Sequence, residues 1–177
     1  MWFLIATGVR RSEFIGLRWG DLNMTSGELK IRRGIVNGVT GDPKSQTSRR
    51  DIHVSGRLLQ VLREYRARAQ RSQDGHPMWA SRRGTPLNPA NISSRVFGPA
   101  AKAAGLKSVG WHVFRHQCAS AFLNAPDAKP SVIRQVQYWL GHSSPTVTMD
   151  IYWSILQKDL PDPGQFDYLD STGRQVA

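Results

Sequence analysis

The chain of 177 residues holds one cysteine, few acidic residues and no long apolar run. A lone Cys118 excludes an intrachain disulfide framework and a cysteine-based zinc cluster, and a reducing cytoplasm is the expected setting. No stretch approaches the ~18–20 apolar residues that cross a bilayer, so no membrane partner is expected. The opening Met1-Trp2-Phe3-Leu4-Ile5-Ala6-Thr7-Gly8 is apolar, but no basic segment precedes it and Arg10-Arg11 follow at once. It reads as a buried helix rather than a secretion signal. With no cap before it, that helix suggests a domain whose N-terminal edge is cut.

The shortage of acid is the informative one. Lys and Arg number 24 against 13 Asp and Glu, a formal net charge of +11. Charge of that size speaks to partners rather than fold and favours a polyanion. Most of the cations are arginines, whose planar fork matches phosphate better than a lysine does. They are unevenly spread: residues 57–83 hold seven arginines against Glu64 and Asp74, whereas four aspartates face Arg174 from Asp159 onward. The division is a basic domain over 1–158 and an acidic tail over 159–177.

Periodicity predicts a mostly α chain with one small antiparallel β-sheet, an α+β class. Residues 1–8 read as helix ended by Gly8, and Ser12–Leu17 as a short helix. Strand signals cover Glu28–Arg33, Gly34–Val39 and Arg50–Val54, with turn residues Gly41-Asp42-Pro43 between the last two. From Gly56 the pattern turns helical, with Leu58, Val61, Leu62, Tyr65 and Ala69 as the apolar stripe. Pro89 opens a helix to about Ala104. Three further helices are expected at about 112–124, 130–140 and 145–157.

Three clusters carry chemistry. In Thr7-Gly8-Val9-Arg10-Arg11-Ser12-Glu13 a glycine turn presents Arg10 at a helix start, and an arginine with a helix N-terminus suits a phosphate. In Trp111-His112-Val113-Phe114-Arg115-His116, His112 and Arg115 lie three apart and share a helix face. Phe114, Cys118, Ala121 and Phe122 would then face the core. His112 and His116 are spaced as on a zinc-protease helix, but that pattern needs Glu after the first His, where Val113 stands. The third cluster is Trp139-Leu140-Gly141-His142-Ser143-Ser144, with Tyr152 ten residues after His142. Each alone also fits a plain basic surface or a core aromatic.

In this order the clusters resemble the tyrosine recombinase, or phage integrase, family over about residues 1–157. Thr7–Glu13 matches its T-G-[LV]-R-x-x-E box, His112–His116 its H-x-[LF]-R-H box, and Leu140-Gly141-His142 its L-G-H. Pro43-Lys44-Ser45-Gln46-Thr47-Ser48-Arg49-Arg50-Asp51-Ile52 resembles the family's β-hairpin stretch P-K-[ST]-x-x-S-x-R-x-[IV]. The resemblance implies a DNA breaking-rejoining catalytic core with Arg10, Lys44, His112, Arg115, His142 and Tyr152 as catalytic residues. Glu13 and His116 would support them from behind, and Arg11, Arg49 and Arg50 would contact DNA.

The implied reaction is attack of the Tyr152 hydroxyl on a phosphodiester, leaving a 3′-phosphotyrosyl link and a free 5′-hydroxyl, with no cofactor or metal. Arg10 and Arg115 would clamp the nonbridging oxygens in the transition state. Tyrosine, with a pKa near 10, needs a base such as His112 and a cationic field. Lys44 would protonate the 5′-oxygen and His142 would hold the phosphate. Partners would be double-stranded DNA, three further copies in a tetramer on paired sites, and accessory DNA-bending or directionality factors. The location would be cytoplasmic, at the nucleoid when DNA-bound. Relatives usually carry an N-terminal DNA-clamping domain, so weak DNA binding by this chain alone is expected. Competing readings are type IB topoisomerase-like relaxation and a non-catalytic DNA-binding remnant.

Overall fold

The computed structural model describes residues 1–41, 48–126, 129 and 131–156, and of 151, 152 and 154–156 only the backbone. Lys44 and the acidic tail lie outside the described residues. The elements in chain order are α1 (Trp2–Thr7), α2 (Arg11–Gly16), a 3-10 turn (Trp19–Asp21), β1 (Glu28–Ile31), β2 (Gly34–Val36), β3 (Val39–Gly41), β4 (Arg50–His53) and α3 (Gly56–Arg68). They continue with α4 (Pro89–Ile92), a π turn (Ser93–Phe97), α5 (Gly98–Ala103), α6 (Trp111–Leu123), α7 (Val132–Leu140) and α8 (Pro145–Leu156). The mixed, mainly helical class is as expected, and the last three helices begin and end within two residues of their expected bounds.

The expected single sheet is two separate antiparallel ladders, β1 with β4 and β2 with β3. The span read as one strand, Gly34–Val39, folds back on itself at Asn37 and Gly38, whose φ values are 52° and 79°. Two successive positive φ values make the hairpin turn that Asn-Gly favours. The β1–β4 ladder sets Leu29 opposite Ile52 and Ile31 opposite Arg50. Alternation then buries Leu29, Ile31, Arg50 and Ile52 on one face.

The helices also depart in detail from expectation. On α3 the buried residues are Leu58, Leu59 and Leu62. Val61 and Tyr65, expected inside, are exposed, because Leu59 takes the inward place against the Gly27 turn. Tyr65 instead lays its ring on Trp79, 5.6 Å away and 24° from parallel. The helix opened by Pro89 is interrupted by the π turn, where Trp111 Nε1 donates to Ser93 Oγ at 3.0 Å. No described helix is long and apolar enough to cross a membrane.

Two apolar clusters hold these pieces. The larger gathers α1, α2, β1, β4 and α3 around an aromatic group in which Phe14 stacks on Trp79 at 4.7 Å. The smaller joins α6 to α7 through Cys118, Ala119, Leu123, Val136 and Leu140. Helix α6 packs on α1, α7 and α8 and so ties the clusters together. Helices α1 and α7 both stop at left-handed glycines, Gly8 at φ 60° and Gly141 at φ 68°. Their ends meet closely: a Cβ on Gly8 would lie 2.4 Å from Leu140 Cδ2 and 3.0 Å from Cys118 Sγ. Glycine is needed at Gly8 both for its backbone and for its missing side chain.

Candidate active site

The last carbonyls of a helix have no intrahelical partner and carry the negative end of its dipole. Here two such ends converge and arginines satisfy them. Arg115 bridges the ends, donating from Nη1 to Gly8 O and from Nη2 to Leu140 O, each at 2.7 Å. Arg50 Nε donates to Trp139 O at 2.6 Å, and Arg10 Nη2 donates to Gly141 O. Trp139 closes the set by donating its indole N–H to Thr7 O at 3.1 Å. Residues 139, 140 and 141 therefore offer three successive carbonyls to three guanidiniums from β4, α6 and the start of α2.

One carboxylate sits among these cations. Glu13 accepts from Arg50 Nη1 at 3.0 Å and from Nη2 at 2.9 Å. It also accepts from Arg10 Nη1 and from the Arg10 backbone N–H, both at 2.8 Å. Burial alone would raise its pKa, but the Arg50 hydrogen bonds and charge, then those of Arg10, hold the carboxyl below its ordinary value. Among the described residues three guanidiniums thus face a single acid. Burial, and then the Arg10 and Arg50 charges, pull the Arg115 guanidinium down to about 9, which leaves it protonated at neutral pH. Buried positive charge in excess of its partners is costly, and a bound anion would offset that cost. Such a cluster can accept an anion.

His142 lies beside it, reached by the turn that Gly141 makes. Its backbone N–H donates to Gln137 O at 3.0 Å, and its Nδ1 is 2.7 Å from Thr148 Oγ1 on α8. The residue is 7% exposed. Burial first, then Arg115, Arg10, Arg50 and His116, pull its pKa down to about 4. His142 is neutral at pH 7. Its folded pKa lies below its ordinary 6.5, so between those values the unfolded chain binds more protons and acid favours unfolding. Stability to urea should therefore fall as pH drops from about 6.5 toward 4, with a loss already visible at pH 5. A histidine titration by NMR that placed His142 near 6.5 would overturn this.

Two expectations about the arginines are corrected. Arg50, expected on DNA, is 2% exposed, because β4 alternation turns it inward with Ile52 onto Glu13. Arg115, expected on the face it shares with His112, is buried while His112 is exposed. The inward stripe of α6 is Phe114, Arg115, Cys118, Ala119 and Leu123, not one that includes Ala121. Arg115 turns inward because the carbonyls of two other helices await it there. The Arg10 backbone N–H is also spent on Glu13, so the start of α2 offers less to a phosphate than expected.

The remaining candidates are placed more simply. Arg11, Arg49 and His116 are exposed. Tyr152 lies on α8, four residues beyond Thr148. Cys118 is buried against Gly8, and burial pushes its thiol up to about 11, which leaves it inert. Among the described residues no three His, Cys, Asp or Glu gather as a metal site. Thr148 and Trp139 complete the site without a sequence signal for that role: Trp139 reads as a core aromatic, and a threonine six residues after the L-G-H histidine carries no signal of its own.

The geometry agrees with what the chain is similar to. The model of the phage integrase family matches residues 1–158. This chain belongs to that family. Tyrosine recombinase XerC of Neisseria gonorrhoeae is 30% identical over 145 residues, covering 82% of this chain and 43% of the relative. A XerC-like tyrosine recombinase of Caldanaerobacter subterraneus is 24% identical, covering 88% of this chain and 45% of the relative. The integrase-family chain thus spans less than half the length of these curated relatives. Among solved structures, the Tn1549 transposon integrase in complex with circular intermediate DNA superposes with a TM-score of 0.70 at 20% identity. That match covers 88% of this chain and 57% of the integrase. XerA recombinase superposes with a TM-score of 0.64 at 23% identity, covering 90% of this chain and 55% of the other. At such identities the superpositions establish the catalytic-core fold alone.

Proposed function

We propose that this chain is the catalytic domain of a tyrosine-type site-specific recombinase, which cuts and rejoins DNA through a phosphotyrosyl intermediate. The observation that carries the reading is the excess of guanidinium charge where the first, second and third family boxes meet. Arg10 and Arg115 are held from behind by carbonyls and Glu13, so donors are already in place when charge builds on a phosphate. Arg50 holds Glu13 and does not touch the substrate.

Tyr152 is the nucleophile: its oxygen bonds to phosphorus as the 5′-oxygen leaves. The exposed His112 takes the phenolic proton, and Lys44 returns a proton to the departing 5′-oxygen. The reverse attack by a 5′-hydroxyl reseals the strand, which allows exchange between two duplexes. Arg11 and Arg49 lie on the surface and contact the DNA backbone. The working unit is a tetramer on paired sites, assisted by DNA-bending or directionality factors and located at the nucleoid.

The test is covalent trapping. Nicked duplexes drawn from DNA beside the gene are incubated with the protein in EDTA and run on a denaturing gel. Wild type should leave a protein–DNA adduct, and Tyr152→Phe none. An adduct that persists in Tyr152→Phe would overturn the assignment of the nucleophile, and one that requires added metal would overturn the metal-free reaction.

A further inference from the structure

The hydroxyl of Thr148 lies in the site but takes no part in the proposed cleavage and rejoining. Thr148 is fully buried, on the helix that carries Tyr152, and its Oγ1 lies 2.7 Å from Nδ1 of His142. We propose that Thr148 is a positioning residue that fixes His142 with its proton on Nε2, so that the ring can donate to a phosphate oxygen. This rests on the reading that His142 serves a phosphate.

A neutral imidazole carries one N–H, and the hydrogen bond at one nitrogen decides the role of the other. The charged groups felt at His142 are Arg115, Arg10, Arg50 and His116, all of them cationic or able to become so. A second proton on the ring is disfavoured among them, so the single N–H must be placed correctly. If Nδ1 kept it, Nε2 would present a lone pair to an anionic oxygen and repel it. If Thr148 donates to Nδ1, the proton sits on Nε2 and the lone pair is hidden.

Threonine suits this task. Branching at Cβ restricts its side chain on a helix, and the hydroxyl competes for no solvent because none reaches it. Serine could make the same bond with a looser rotamer, whereas valine keeps the shape and removes the donor. The contact also links two family boxes. Tyr152 stands four residues beyond Thr148, so seating α8 and setting His142 become one event.

The experiment is nitrogen NMR of protein labelled with ¹⁵N-histidine, in wild type, Thr148→Val and Thr148→Ser, with His142→Gln to assign the signal. Wild type should show a pyridine-type Nδ1 and a pyrrole-type Nε2 at His142. Thr148→Val should mix the two tautomers and slow single-turnover cleavage of a nicked duplex about tenfold, with DNA affinity nearly unchanged. Thr148→Ser should restore both. A wild-type His142 protonated on Nδ1, or a valine variant with an unaltered tautomer, would overturn the proposal. The wild-type spectrum decides even if the valine variant folds poorly. The tautomer is read without turnover, so a protein that never cleaves DNA sinks the proposed function separately.

Discussion

An Arg50→Met variant is expected to lose about 3–5 kcal/mol of stability, the range found when one partner of a buried ion pair is removed. Methionine fills most of the space of the arginine stem, so the loss is not chiefly one of packing. It comes from Glu13, 3% exposed, which loses the two-pronged partner that keeps it ionised. Two carbonyls, Ser48 O and Trp139 O, lose their donors in the same step. For a chain of this length each kcal/mol corresponds to roughly 2–4 °C in Tm, so calorimetry should show a fall of about 6–20 °C. Adding Glu13→Gln should recover part of the loss, since no buried carboxylate is then left with Arg10 as its one cationic partner, and the two changes should be plainly non-additive. A single variant within 1 kcal/mol of wild type would mean that water reaches the pair and screens it.

The second large effect is on rate. Arg115→Lys should slow single-turnover cleavage by about 10²–10³-fold, the usual cost of removing one preorganised transition-state donor. The guanidinium spans Gly8 O and Leu140 O with its two outer nitrogens and has N–H bonds left over for a phosphate. An ammonium is one point with three donors and cannot bridge both carbonyls while also reaching outward. Arg11→Lys, on the exposed neighbour of Arg10, should stay within a few-fold of wild type. Nearly full activity in Arg115→Lys would reduce Arg115 to a strap between helices and leave Arg10 as the only clamp.

These effects depend on features that sequence reveals unevenly. The boxes themselves are legible, because Arg10, Arg115 and Tyr152 stand at fixed distances from glycines and histidines that mark them. Helix bounds are legible too, since Gly8, Gly105 and Gly141 stop helices wherever they fall. The burial of Arg115 is not: periodicity assigns a charged residue to the outside, and only the meeting of α1 and α7 supplies a reason for it to turn in. Arg50 is an intermediate case. Its place two residues before Ile52 on a strand already puts it on the inward face, and the box glutamate is its natural partner. The Asn37-Gly38 dipeptide is likewise a hairpin signal that splits the strand read through it. Thr148 is beyond sequence, because its value lies in one distance across a turn.

The convergence of two glycine-stopped helix ends has a consequence for how such a site persists and how it could be moved. What grips the arginines is mostly main-chain oxygen, which every amino acid supplies alike. The grip itself thus asks little of the α1 and α7 side chains beyond those that pack in the core, provided that both helices stop in the left-handed conformation. A designer grafting this chemistry onto another scaffold would need to build the two facing stops first, because the arginines placed alone would have nothing to hold.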